Sequence, residues 1–163
     1  MAQLTTGNGL PDVVVTGIAM TTALSTDAEN TWKKLLDGQS GIRKLEDPFI
    51  EEYDLPVRIG GHLLEDFDGE LNKVELRRMS YLQKMATVVG RRAWQNAGSP
   101  EVDTRRLAVS VGTGMGSSEE LLFAYDAMRT KGLRAVSPLV VQKFMPNGAA
   151  AVIGLELGAK AGV

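Results

Sequence analysis

Leu107-Ala108-Val109-Ser110-Val111-Gly112-Thr113-Gly114-Met115-Gly116-Ser117-Ser118-Glu119-Glu120 is the stretch that decides the fold. Four of its first five residues are apolar and two of them are β-branched, which predicts a strand. Three alternating glycines then predict a tight turn. A helix follows through about Thr130, and Ser117 and Glu120 at capping-box spacing mark its start. A strand running through a glycine turn into a helix is a unit of layered α/β folds with a parallel sheet.

Toward the N-terminus, Asp12-Val13-Val14-Val15-Thr16-Gly17-Ile18 reads as a second, buried strand. Ser25 or Thr26 is placed to cap the next helix, with Asp27 and Glu29 in its first turn. That helix carries Trp32, Leu35 and Leu36 on one face and stops at Gly38. Residues 39–72 are acidic and irregular, with an extended piece around Val57-Arg58-Ile59. A segment this long is a functional excursion or a small subdomain. The clearest helix spans about Ser80 to Ala97, with Leu82, Met85, Ala86, Val89 and Ala93 at helical spacing; Gly98 and Pro100 end it.

Toward the C-terminus, Gly148-Ala149-Ala150-Ala151-Val152-Ile153-Gly154 carries small residues on every face, which predicts a helix buried among close neighbours. Leu157 to Val163 reads as a helix end and a turn into another strand. Two strands are too few for a sheet flanked by so many helices, so the chain reads as part of a larger sheet.

The 163 residues suffice for one domain with a core, and 44% of them are hydrophobic. No apolar run approaches the roughly 18 residues of a membrane span. Met1 to Gly7 lacks the basic-then-apolar order of a secretion signal, so a cytoplasmic location is expected. A net charge of −2 gives no bulk attraction to nucleic acid or membrane. With no cysteine and one histidine, His62, the chain as written forms no disulfide, Cys/His zinc site or Cys–His nucleophile pair.

The charge is segregated. Nine carboxylates stand against Arg58 alone between Glu46 and Glu70. Six basic residues (Lys73, Arg77, Arg78, Lys84, Arg91, Arg92) stand against Glu75 alone up to Arg92. Arg129, Lys131, Arg134 and Lys143 occupy an acid-free stretch from Ala127 to Met145. Each run suits a solvated face or a docking surface. The glycine turn also raises nucleotide binding, but Ser117 stands where a dinucleotide fingerprint needs its third glycine. Nor does an acid end a strand about 20 residues on, and no P-loop lysine is present.

Taken in order, Val13-Val14-Val15-Thr16-Gly17, Gln39-Ser40-Gly41-Ile42, Arg77-Arg78-Met79-Ser80, Val111-Gly112-Thr113-Gly114-Met115-Gly116 and Met145-Pro146-Asn147-Gly148-Ala149-Ala150-Ala151 resemble the β-ketoacyl-acyl carrier protein synthases, the condensing enzymes of type II fatty-acid synthesis. Asp47-Pro48-Phe49, Gly60-Gly61-His62-Leu63 and Ala97 to Asp103 look most like the mycobacterial members that elongate meromycolate chains. The resemblance implies a thiolase-like fold layered α-β-α-β-α, a homodimer, and no metal or organic cofactor. It implies that residues 1–163 are the N-terminal part of the synthase N-terminal domain, ending before the nucleophilic cysteine. The family's two histidines and lysine lie further on, and His62 matches neither histidine, so this chain alone is expected to be inactive.

The resemblance also implies two sets of site residues and, as partners, acyl carrier protein and the acyl and malonyl thioesters. Carrier-protein docking maps onto Lys73, Arg77, Arg78, Lys131 and Arg134, inside the acid-poor stretches counted above. The acyl channel maps onto Met115, Ser118, Glu119, Leu121, Leu122, Tyr125, Phe144 and Met145. Ordinary core packing and a channel wall both account for these apolar positions. A free-standing carrier-binding module is the alternative to a piece of an enzyme.

Overall fold

A computed structural model describes residues 12–162. The N-terminal stretch lacking a secretion signal, and Val163 of the anticipated last strand, lie outside the described residues.

Helix α1 (Ala28–Leu36) is capped by Asp27, whose carboxylate accepts from the Asn30 amide at 2.8 Å. Ser25 does not cap the helix as expected. Its hydroxyl donates to the other Asp27 oxygen at 3.0 Å, so the serine supports the capping acid. A carboxylate at that position satisfies a free amide and also meets the positive end of the helix dipole. Gly38, at φ +69°, turns the chain away after α1.

Residues 39–72 are a small packed unit. Strands β1 (Arg43–Lys44) and β2 (Ile59–Gly60) pair antiparallel around α2 (Pro48–Glu52), and a 3₁₀ turn covers Asp68–Glu70. Phe67 and Leu71 from this unit are buried against Val88, with Leu63, Leu76, Met85 and Val89 around them. Phe67 takes φ +68°, unusual for a bulky residue, and its ring is held in the core at 5.8 Å from that of Tyr81.

Helix α3 (Lys73–Arg78) opens with an Asn72/Glu75 capping box, and α4 (Tyr81–Asn96) with a Ser80/Gln83 box. The most deeply buried face of α4 is Gln83, Thr87 and Val88. Leu82, Met85, Ala86, Val89 and Ala93 are only partly buried. A buried glutamine there is paired on both sides: it closes the cap with Ser80 and donates to the Gln142 carbonyl at 3.0 Å.

The chain continues through a 3₁₀ turn at Thr104–Arg106, α5 (Ser118–Lys131), a second 3₁₀ turn at Leu133–Ala135, α6 (Val140–Phe144) and α7 (Gly148–Leu157). As expected from its small residues, α7 buries Gly148, Ala149, Ala150 and Gly154, and it packs on α4. Ile153 lies over Gly90, where an added Cβ would stand 3.1 Å from its Cδ1.

The two strands expected from sequence are not in a ladder among the described residues. Ala108 forms one parallel bridge with Gly162, and Val13 is 96% exposed. Val14, Val15 and Ile18 are exposed as well. A strand is buried only by neighbours on both sides, and the described residues supply a single bridging position.

The segregated charges meet in space. Arg92 grips Glu65 through two nitrogens at 2.9 and 2.7 Å and also bonds Glu70. Arg91 bonds Glu75 at 2.6 Å and Glu156 at 2.7 Å, and Lys84 bonds Asp68 at 2.7 Å. Three carboxylates of the acidic run, Glu65, Asp68 and Glu70, thus neutralise basic residues of α4. Hydrogen bonds from Arg92 and Arg91 hold the mostly buried carboxyls of Glu65 and Glu75 below a glutamate's ordinary value of 4.5.

A depressed carboxylate pKa means that the unfolded chain binds more protons in acid. Its stabilisation is complete above the ordinary value and is lost as pH falls through the folded one. Arg92→Met is expected to lower stability at neutral pH by about 2 kcal/mol and to flatten the loss below about pH 4.5. Urea midpoints measured across that window check it; parallel profiles for the two proteins contradict it.

Candidate functional site

The glycine turn is built on one obligatory glycine. Gly116 has φ +66°, and an added Cβ would lie 2.8 Å from the Phe144 carbonyl oxygen and 3.2 Å from Pro146 Cα. A Cβ at Gly112 or Gly114 would meet nothing within 4 Å. The Gly116 amide donates to the Thr113 hydroxyl at 3.3 Å, closing the turn on itself.

Ser117 sits just before α5 as expected, but the anticipated capping box does not form. No side chain caps that helix. The Ser117 hydroxyl instead donates to Ser80 Oγ at 2.6 Å, and both residues are 1% exposed. A buried hydroxyl satisfied by a second buried hydroxyl is diverted from the helix end. Glu120, the other half of the box, accepts from Lys143 on α6 at 3.2 Å. Together these contacts lock the turn and the start of α5 to α4 and α6.

The channel candidates divide accordingly. Close approach of the turn to α6 brings the segment with Met115, Ser118 and Glu119 beside Phe144 and Met145. Ser118, Glu119 and Phe144 are half-buried; Met115 is 73% exposed. Leu121, Leu122 and Tyr125 are exposed along α5, and Arg129 lies 5.6 Å over the Tyr125 ring. These residues enclose no channel among the described residues. Met145 alone of the set lines an open cleft of about 490 Å³ beside α6 and α7, with Val141, Ala151, Val152 and Leu155.

The docking candidates are sorted by their pairing. Lys73 opens α3, and Arg77 and Arg78 close it, where cations meet the negative end of the helix dipole. Lys131 ends α5, and Arg134 follows in the 3₁₀ turn after Gly132. All five are exposed, and among the described residues no carboxylate pairs with any of them. Lys84, Arg91, Arg92 and Lys143, from the same basic runs, are consumed by internal pairs. Sequence reasoning missed this division, and it missed the buried Ser80–Ser117–Gln83 set. The only local signal for the latter was the Ser80-x-x-Gln83 spacing.

Among the described residues, no group of three potential ligands is placed to hold a metal ion, and no helix is long and apolar enough to cross a membrane.

Residues 11–163 match the family model "Beta-ketoacyl synthase, N-terminal domain". The whole chain is 72% identical to the 3-oxoacyl-[acyl-carrier-protein] synthase 2 of Mycobacterium tuberculosis, and 99% of it is 73% identical to the Mycobacterium leprae protein of that name. It spans 39% and 38% of their lengths. A β-ketoacyl synthase structure from Burkholderia phymatum superposes with a TM-score of 0.75 at 22% identity, over 92% of this chain and 37% of that one. The fold is therefore the thiolase-like α/β fold of the ketosynthases, present in part. A family match across nearly every residue, joined to that superposition, makes this chain a member of the β-ketoacyl synthase N-terminal domain family.

Proposed function

We propose that the chain is the N-terminal section of a 3-oxoacyl-[acyl-carrier-protein] synthase that lengthens acyl chains by decarboxylative Claisen condensation. The observation that carries this is 72% identity over all 163 residues to proteins of that name. In the reaction, an acyl group passes from its carrier to a cysteine thiolate. Malonyl-carrier then loses carbon dioxide, and the resulting carbanion attacks the acyl thioester and expels the thiolate. The chain contains no cysteine, so its own part is to receive the carrier and to wall the acyl chain.

Lys73, Arg77, Arg78, Lys131 and Arg134 are the docking residues in this reading, supported by their exposure and their lack of carboxylate partners among the described residues. Met115, Ser118, Glu119, Leu121, Leu122, Tyr125, Phe144 and Met145 are the channel residues, completed by segments beyond those described and by a second subunit of a homodimer. Meromycolate elongation is the setting in this reading, resting on the segments Asp47 to Phe49, Gly60 to Leu63 and Ala97 to Asp103 that resemble the mycobacterial members, and the cytoplasm is its place.

The test is condensation by the protein expressed from its native reading frame, with acyl-carrier and malonyl-carrier substrates. A 3-oxoacyl-carrier product is expected from that protein and none from residues 1–163 alone. Malonyl decarboxylation with no lengthened product would contradict the proposal.

A further inference from the structure

We propose that Arg91 is a positioning residue for carrier-protein docking: its guanidinium, forked between Glu75 of α3 and Glu156 of α7, sets how Arg77 and Arg78 are presented. This rests on the docking reading above.

Helix α3 has six residues, too few to hold its own geometry in water. Its first turn is closed by Asn72, whose side-chain oxygen accepts from Val74 and Glu75 amides at 2.9 and 3.1 Å. Glu75 Oε2 returns the bond by accepting from the Asn72 amide at 2.8 Å. That leaves Oε1, which accepts from Arg91 Nη2 at 2.6 Å. The same guanidinium donates from Nε to Glu156 at 2.7 Å and from Nη1 to the Glu70 carbonyl at 3.3 Å.

One planar group thus ties the turn before α3, α3 itself and α7 to the long helix α4. Its geometry has no lysine equivalent, because an ammonium lacks the rigid fork. Arg77 and Arg78 lie two and three residues after Glu75 in the same short helix, so the angle of α3 is the angle at which their charges face solvent. Arg92, one residue on, grips Glu65 and Glu70 and bonds nothing on α3. It is the internal control.

The experiment uses the protein from its native reading frame and reads carrier affinity together with KM and kcat. Each is measured on carrier-bound and on small, carrier-free thioester substrates. Arg91→Gln is expected to weaken carrier binding about tenfold and raise KM for carrier substrates alike. It should leave kcat on the carrier-free thioester within about twofold. Arg92→Gln should not reproduce that split, and Arg91→Lys should recover only part of the affinity. In an Arg77→Glu, Arg78→Glu background the Arg91 effect should vanish.

Should Arg91→Gln fail to fold, Glu75→Gln serves in its place. It keeps an oxygen for the capping box while removing the charge that Arg91 grips. Carrier affinity unchanged by these variants overturns the inference. So does an equal loss on both substrates, or an undiminished effect in the charge-reversed background. If the charge reversal itself leaves carrier affinity intact, the docking reading fails and takes this inference with it; if only the Arg91 and Glu75 variants are silent, the inference alone fails.

Discussion

Reversing two charges, Arg77→Glu with Arg78→Glu, is expected to weaken carrier-protein binding by about 100-fold at low ionic strength, with the deficit shrinking as salt is added. Both guanidinium groups are exposed at the end of α3, and among the described residues neither has a carboxylate partner. Their field is therefore free to act on an acidic partner, unlike that of Arg91 or Arg92. Charges at the rim of an interface act mainly on the rate of encounter, so the loss should fall on association more than on dissociation. The substitution also places acids at the negative end of a helix, at a cost of about 0.3–1 kcal/mol each. Thermal melting and turnover of a carrier-free thioester separate that cost from lost docking. Affinity unchanged at low salt removes α3 from the docking surface.

Gly116→Val is expected to destabilise the fold by about 4 kcal/mol, whereas Gly114→Ala should cost less than about 0.5 kcal/mol. Both glycines belong to one turn and look equivalent in sequence. Gly116 holds φ +66°, which a β-branched residue adopts at a cost of about 1–2 kcal/mol. Its new Cβ would also meet the Phe144 carbonyl at 2.8 Å, a backbone atom with no rotamer to escape into. Displacing α6 adds about 1–3 kcal/mol and disturbs the neighbourhood of Met115, Phe144 and Met145. Gly114 has open space around the Cβ position and no positive φ. Urea denaturation of both variants measures the difference; similar midpoints for the two would contradict the assignment of Gly116 as the obligatory residue.

The contrast between these glycines shows where sequence reading stops. Helical periodicity is a matter of near neighbours, so the spacing from Leu82 to Ala93, with Gly98 and Pro100 beyond it, located α4 to within a residue at each end. Small residues on every face similarly foretold the burial of α7. Ser117 with Glu120 has the same spacing as Ser80 with Gln83, yet forms no box. Ser80, 37 positions away, takes the Ser117 hydroxyl, and Lys143 takes Glu120. Long-range competitors of that kind leave no mark on local spacing.

Charge counting found the basic runs but could not divide them. Lys84, Arg91 and Arg92 pair with acids that the fold carries back over α4, and Arg77 and Arg78 do not. The strands at 12–18 and 107–111 were legible as β-prone segments, but burial of a strand depends on its ladder partners. Among the described residues only Gly162 provides one, at Ala108. The channel residues were the least legible, because apolar side chains at helical spacing look alike whether they line a core, a tunnel or an interface.

The most direct test of the condensing-enzyme reading is the intact mass of the protein from its native reading frame, before and after incubation with an acyl-carrier thioester. The expected result is a mass beyond that of 163 residues that increases by one covalently held acyl group, with no such increase for residues 1–163 alone. A reading frame that stops at Val163, or a longer protein that acquires no acyl group, would contradict it.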